Sequence, residues 1–178
     1  QFFKNLTQMG MLAIILTTMG TIADERNRGI TQLVLTKPVS RTGYILAKYT
    51  ANLLLISLAT LLAFTAAWFY TDILFTDTVF LGGLAGTGLY LVYVAVILAI
   101  IIFTSTMTKS DIAAGGLTVL GIITLNLLPL FSKTLSKYSP ATLTDYISQA
   151  AAGSAAGADI WRAIAFAAGT VILLLGFA

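Results

Sequence analysis

From Thr78 to Thr108 the chain reads TVFLGGLAGTGLYLVYVAVILAIIIFTSTMT, 31 consecutive residues without a charged side chain. Its centre, YLVYVAVILAIIIF from Tyr90 to Phe103, has no polar alternation of the kind a half-exposed strand needs. A helix crosses the hydrocarbon core of a bilayer with about 20 mostly apolar residues, so this run predicts a transmembrane helix. Similar runs lie on both sides. Tyr49 to Thr71 gives 23 uncharged residues and Asn5 to Ala23 gives 19; Ile112 to Ser132 gives 21, and the last 16 residues begin at Ala163. Only 17 of the 178 residues are charged, 10 basic and 7 acidic, and 58% are hydrophobic. A soluble domain carries about 25% charged residues. The reading is an all-α polytopic membrane protein with spans at about 6–23, 51–70, 80–103, 112–131 and 160–178.

Composition closes other routes. Without Cys there is no disulfide framework, thiol nucleophile or thiolate metal site. Without His, the commonest metal ligand and general base is missing. No metal site is expected. A net charge of +3 is too small to suggest nucleic acid. The chain opens on Gln1 and closes inside an apolar run, which reads as a piece of a longer protein, with a sixth span before Gln1 completing the topology.

Loop charges set the orientation. The stretch 24–48 holds Arg26, Arg28, Lys37, Arg41 and Lys48, whereas 71–79 holds Asp72 and Asp77 and no basic residue. The positive-inside rule places the first and third loops in the cytoplasm, and 132–159 outside. A bacterial or archaeal plasma membrane is the expected location. Within 132–159 a short interfacial helix is expected, with Leu143, Tyr146 and Ile147 facing the bilayer, followed by a flexible linker. No charged residue sits at mid-depth in any span, which argues against ion-coupled transport. Thr17, Thr18, Asn52, Thr60, Thr65, Thr124 and Asn126 read as hydrogen-bonding residues between helices, the alternative being that they line a path. The glycine-rich Gly82–Gly88 lacks the lysine of a phosphate-binding loop and reads as close helix packing.

Seven of the 17 charges fall between Asp24 and Lys48. Asp24 and Glu25 close the first span, and Arg26, Arg28 and Gly29 follow. Ile30, Leu33 and Val34 share one face of a short helix. Pro38 ends that element, since the residue before a proline is pushed out of helical geometry. Ser40 is placed as N-cap of a helix that starts at Arg41 and runs past Lys48 into the second span. An amphipathic segment fixed between two membrane helices is suited to docking a cytosolic partner. The alternative is a loop whose basic residues only hold it in the cytoplasm. That reading leaves Glu25 and the Gly29 and Pro38–Ser40–Arg41 punctuation unexplained.

The pattern Glu25-x-x-x-Gly29, then Leu33 and Leu35, then Pro38-Val39-Ser40-Arg41 and Lys48 resembles the permease subunits of type-2 ABC transporters. The nearest branch holds the nitrous-oxide-reductase maturation and sodium-export permeases. The strong motif covers about 25 residues, and Tyr138-Ser139-Pro140 is a weaker external likeness. The resemblance implies a transport subunit, an exporter without catalytic residues or a cofactor of its own. It would pair with a second permease, alike or different, amid membrane lipid. Its energy would come from cytosolic ATP-binding subunits that hold ATP and Mg. The 24–48 loop would be the coupling element. An intramembrane enzyme would need a catalytic pair at depth, and no G-x-S-x-G, His or Cys supplies one. A membrane anchor that sequesters a cytosolic regulator through the same loop is the remaining alternative.

Overall fold

The computed structural model describes residues 2–20, 22, 25, 40–74, 80–108, 110–131, 143–151 and 157–178; for residues 2, 4, 128–131, 151 and 157–159 it describes the backbone alone. Among them every regular element is helical: α1 (Phe2–Asn5), a π-helical turn (Leu6–Gly10), α2 (Met11–Thr18), α3 (Arg41–Leu74), α4 (Phe80–Met107), α5 (Asp111–Phe131), α6 (Leu143–Ala151) and α7 (Gly157–Phe177). Three helices, α3, α4 and α7, are long and apolar enough to cross a membrane; α2 with the preceding turn and α5 are shorter apolar helices. The chain is a helical membrane protein.

Helix α4 is the hub. Its most apolar window is 72% buried, against 11% for the corresponding windows of α3 and α7. Val94, Leu98, Ala99 and Ile101 are sealed completely, and α2, α3, α5, α6 and α7 all pack against this one helix. A helix that is hydrophobic on every side is stable only when every side is covered. The outer helices show one-sided burial. On α3 the buried residues Ile45, Tyr49, Ile56, Thr60 and Phe64 recur at helical spacing, while Leu54, Leu55, Leu58 and Leu62 stand exposed on other faces. In a bilayer those leucines meet acyl chains at no cost, because lipid is as apolar as leucine.

Small residues set how near the helices approach α4. A Cβ on Gly83 would come 2.7 Å from the Phe64 ring, and one on Gly86 would come 2.9 Å from the Phe3 ring and 3.2 Å from the Ile147 carbonyl. Gly83 and Gly86 are therefore contact points, in keeping with the packing role of the glycine-rich segment. Trp68, beyond Phe64 on α3, stacks edge-on against Phe80 with centroids 4.9 Å apart.

Two expectations need correction. The polar residues of the spans mostly bond within their own helices. Thr17, Thr18, Asn52, Thr65, Thr124 and Asn126 each donate to a carbonyl four residues back, the usual local solution for a short polar side chain in a helix. Asn126 also reaches the Tyr93 hydroxyl. Other links between helices come from the Tyr49 hydroxyl to the Ala95 carbonyl at 3.2 Å, from the Tyr90 hydroxyl to the Leu6 carbonyl in the π turn at 3.2 Å, and from Thr104 to Thr118 at 2.8 Å.

The second correction concerns α6. Leu143 and Ile147 do not face the bilayer; they are 0% and 1% exposed, with Ala150 buried beside them. The amphipathic face of α6 covers α4 around Gly86, in the N-terminal half of α4, and also meets α1 and α7. Gly86 is what lets the Ile147 backbone come so near.

Gly86→Leu should destabilise the protein by about 1–3 kcal/mol through overpacking, whereas Gly88→Leu, which meets nothing within 4 Å, should leave stability unchanged or raised. Thermal unfolding in detergent compares the two.

Candidate functional site

The 24–48 stretch is anchored at its base. Helix α3 begins at Arg41, ten residues before residue 51, where the apolar run suggested the span would start. The Ser40 hydroxyl accepts the backbone N–H of Gly43 at 3.1 Å, and the Ser40 carbonyl accepts that of Tyr44 at 3.0 Å. This is the N-cap expected from the sequence, and it satisfies a donor that the first helical turn leaves unpaired. Arg41 and Ser40 are exposed. At 34 residues α3 is about 51 Å long at ~1.5 Å per residue. It exceeds a hydrocarbon core of about 30 Å, so its first turns project beyond the span.

Tyr44 and Lys48 lie four residues apart on one face of these first turns, and both reach Glu25. The Tyr44 hydroxyl donates to Glu25 Oε2 at 2.5 Å, and the Lys48 ammonium pairs with Glu25 Oε1. The Lys48 nitrogen also lies 6.0 Å from the centre of the Tyr44 ring. Both charged side chains are under a third exposed. A pair of this kind is worth about 1 kcal/mol or less in stability; its larger effect is geometric. Glu25 lies just past the first helix and Lys48 on the second span, so the pair ties the two ends of the loop together.

Of the residues singled out in the sequence, Glu25 and Lys48 are brought into contact, while Ser40 caps α3 and Arg41 opens it. Arg28, Gly29, Ile30, Leu33, Val34 and Pro38 lie outside the described residues. Tyr44 and Asp111 were missed. Tyr44 is legible in hindsight as the residue one turn before Lys48. Asp111 belongs to the first turn of α5, and only folding brings it close. A pocket of about 340 Å³ joins Glu25, Lys48 and Asp111 to the end of α2 at Leu16, Thr17, Met19 and Gly20. The Ile22 N–H meets the Ser105 hydroxyl at 3.3 Å at the same end of the bundle. Among the described residues no group of three or more His, Cys, Asp or Glu side chains could hold a metal ion.

A helical membrane protein with a charged, capped loop base defines the class. The chain belongs to the family described as a protein of unknown function (DUF2705), whose model matches residues 1–175. It is also similar to a Bacillus subtilis (strain 168) protein described as an uncharacterized transmembrane protein, YxlG, with 33% identity over 86 residues. That match covers 48% of this chain and 33% of the relative, so the chain spans about a third of the relative's length. No solved structure matches the chain.

Ser40→Ala should cost about 1 kcal/mol of stability by removing the cap, and Ser40→Asp should restore most of it. Thermal unfolding midpoints of the three proteins under one detergent condition are the check.

Proposed function

We propose that this chain is the membrane-spanning permease subunit of an ATP-driven exporter, docked through its 24–48 loop on a separate cytosolic ATP-binding subunit. The observation that supports this most is the tie between Glu25 and the Tyr44–Lys48 face of α3. A displacement applied to the loop is passed to α3 rather than absorbed at its base, because the first span and the second are joined there. From Lys48 the path is continuous. Helix α3 carries it across the bilayer, and the Tyr49 hydroxyl bonded to Ala95, with Phe64 seated on Gly83, passes it to the central helix.

In this reading Ile30, Leu33 and Val34 fill a groove on the ATP-binding subunit, and their burial supplies most of the docking energy. Arg28 and Arg41 meet acidic residues at the rim, where each pair contributes little. Gly29 allows close approach, and Pro38 with Ser40 sets the direction of α3. The partner holds ATP and Mg; this chain binds neither and does no chemistry. A second permease, identical or different, completes the path.

The double variant Ile30→Asp, Leu33→Asp should lose both co-purification of the ATP-binding subunit and stimulation of its ATPase activity, with an unchanged unfolding midpoint. Retention of both in the variant overturns the docking assignment. If docking is lost but ATP never drives vectorial movement of any solute in reconstituted vesicles, the loop serves an anchor that only holds its partner.

A further inference from the structure

The first membrane helix is not regular. Its middle, Leu6–Gly10, is a π turn between α1 and α2. Such a turn bonds five residues back rather than four, is rare, and recurs at functional sites. Two carbonyls of this stretch accept side-chain hydroxyls. Thr7 donates to the Phe3 carbonyl at 2.8 Å, and Tyr90 of α4 donates to that of Leu6 at 3.2 Å. A side chain that enters the helical ladder in this way is a common cause of bending. Gly10 leaves the space that the Tyr90 hydroxyl fills, since a Cβ there would lie 2.7 Å from it. Tyr90 is buried, so the packing of the central helix fixes where its hydroxyl sits. One turn on, the Tyr93 hydroxyl meets Met11 Sδ at 3.8 Å. The two tyrosines thus hold the π turn at both ends.

Room for movement lies alongside. A pocket of about 310 Å³ is lined by Phe3, Thr7 and Gln8 of this stretch and by Asp145 and Ser148 of α6. A close-packed interior resists rotation of a helix, and a space of this size relieves that constraint. We propose that Leu6–Gly10 is the hinge of the first membrane helix, with the Tyr90 hydroxyl as its latch. With the latch released, the turn tightens to the commoner α geometry. Losing one residue from a turn rotates everything before it by about 100°, at ~3.6 residues per turn. Helix α1 then turns, the Phe3 ring leaves its seat on Gly86, and the wall that it gives to the pocket changes. Helix α2 keeps its place, because Ile14 and Ile15 are buried and Met19 packs on Gly115. An O–H···O bond is usually about 2.7–2.8 Å long. At 3.2 Å the latch is near its limit, and a further shift of about 0.5 Å in α4 opens it. The device stands apart from the docking reading, since it needs no partner protein.

The chain has no Cys, so two introduced thiols carry spin labels without competition. Asn5, Leu16 and Ile172 are exposed positions. The Asn5–Ile172 distance reads across the hinge to α7, and the Leu16–Ile172 distance leaves the hinge out. Tyr90→Phe removes only the hydroxyl, and Gly10→Ala pushes it away from the side of the first helix. A side chain on a helix about 10–12 Å across moves by roughly 8 Å when it turns through about 100°. With the full chain in lipid nanodiscs, both variants should therefore move the Asn5–Ile172 distance to a second value, several ångström away. The Leu16–Ile172 distance should stay the same, and Gly88→Ala, which meets nothing within 4 Å, should change neither. Should Gly10→Ala fail to fold, Tyr90→Phe decides alone. An unchanged Asn5–Ile172 distance in either folded variant, or one that only broadens, overturns the proposal. So does an equal change in the Leu16–Ile172 pair, or a Tyr90→Phe protein that cannot fold.

Discussion

Everything in this bundle depends on covering α4. A helix with Val94, Leu98, Ala99 and Ile101 fully sealed cannot be stable at an edge facing water, and inside a bilayer it still needs close neighbours to gain packing energy. Lipid gives the outer helices no reason to associate on hydrophobicity alone. Approach distance then decides, and glycines control it. Gly83 admits the Phe64 ring, Gly86 admits Phe3 and the Ile147 backbone, and Gly121 lies against Ile100. The same requirement explains α6. Its apolar face could have lain on lipid, but α4 at Gly86 lets the Ile147 backbone approach closely.

Polar groups are arranged by depth. Within the spans, most threonines and asparagines donate to carbonyls of their own helices, and Thr104 with Thr118 and Asn126 with Tyr93 also link one helix to another. Tyrosines of α3 and α4 reach further, and Tyr90 secures the π turn of the first helix by bonding the Leu6 carbonyl. Charged groups gather at the loop end, where Glu25, Lys48 and Asp111 share one pocket.

The long apolar helices α3, α4 and α7 were legible because a bilayer imposes length and apolarity on contiguous residues, and both can be read along the chain. The start of α3 at Arg41 was legible for a similar local reason, since Ser40 caps within three residues of itself. The burial of Leu143 and Ile147 was not. An amphipathic face looks the same in sequence whether lipid or another helix will cover it, and Gly86, the residue that decides, lies about 60 positions away. Asp111 escaped for the same reason. A single acid at the start of a helix reads as favourable end charge; its place opposite Gly20 arises only from tertiary packing.

Force transmission from the loop into the bundle is the central claim. The most direct measurement is the distance between spin labels at Thr42, on the projecting start of α3, and Ile112, on the exposed start of α5, both exposed positions. It would be taken in membranes that also contain the ATP-binding subunit. The distance should change when ATP is bound and return after hydrolysis. A distance that stays the same through the ATP cycle, with the partner bound, contradicts the claim.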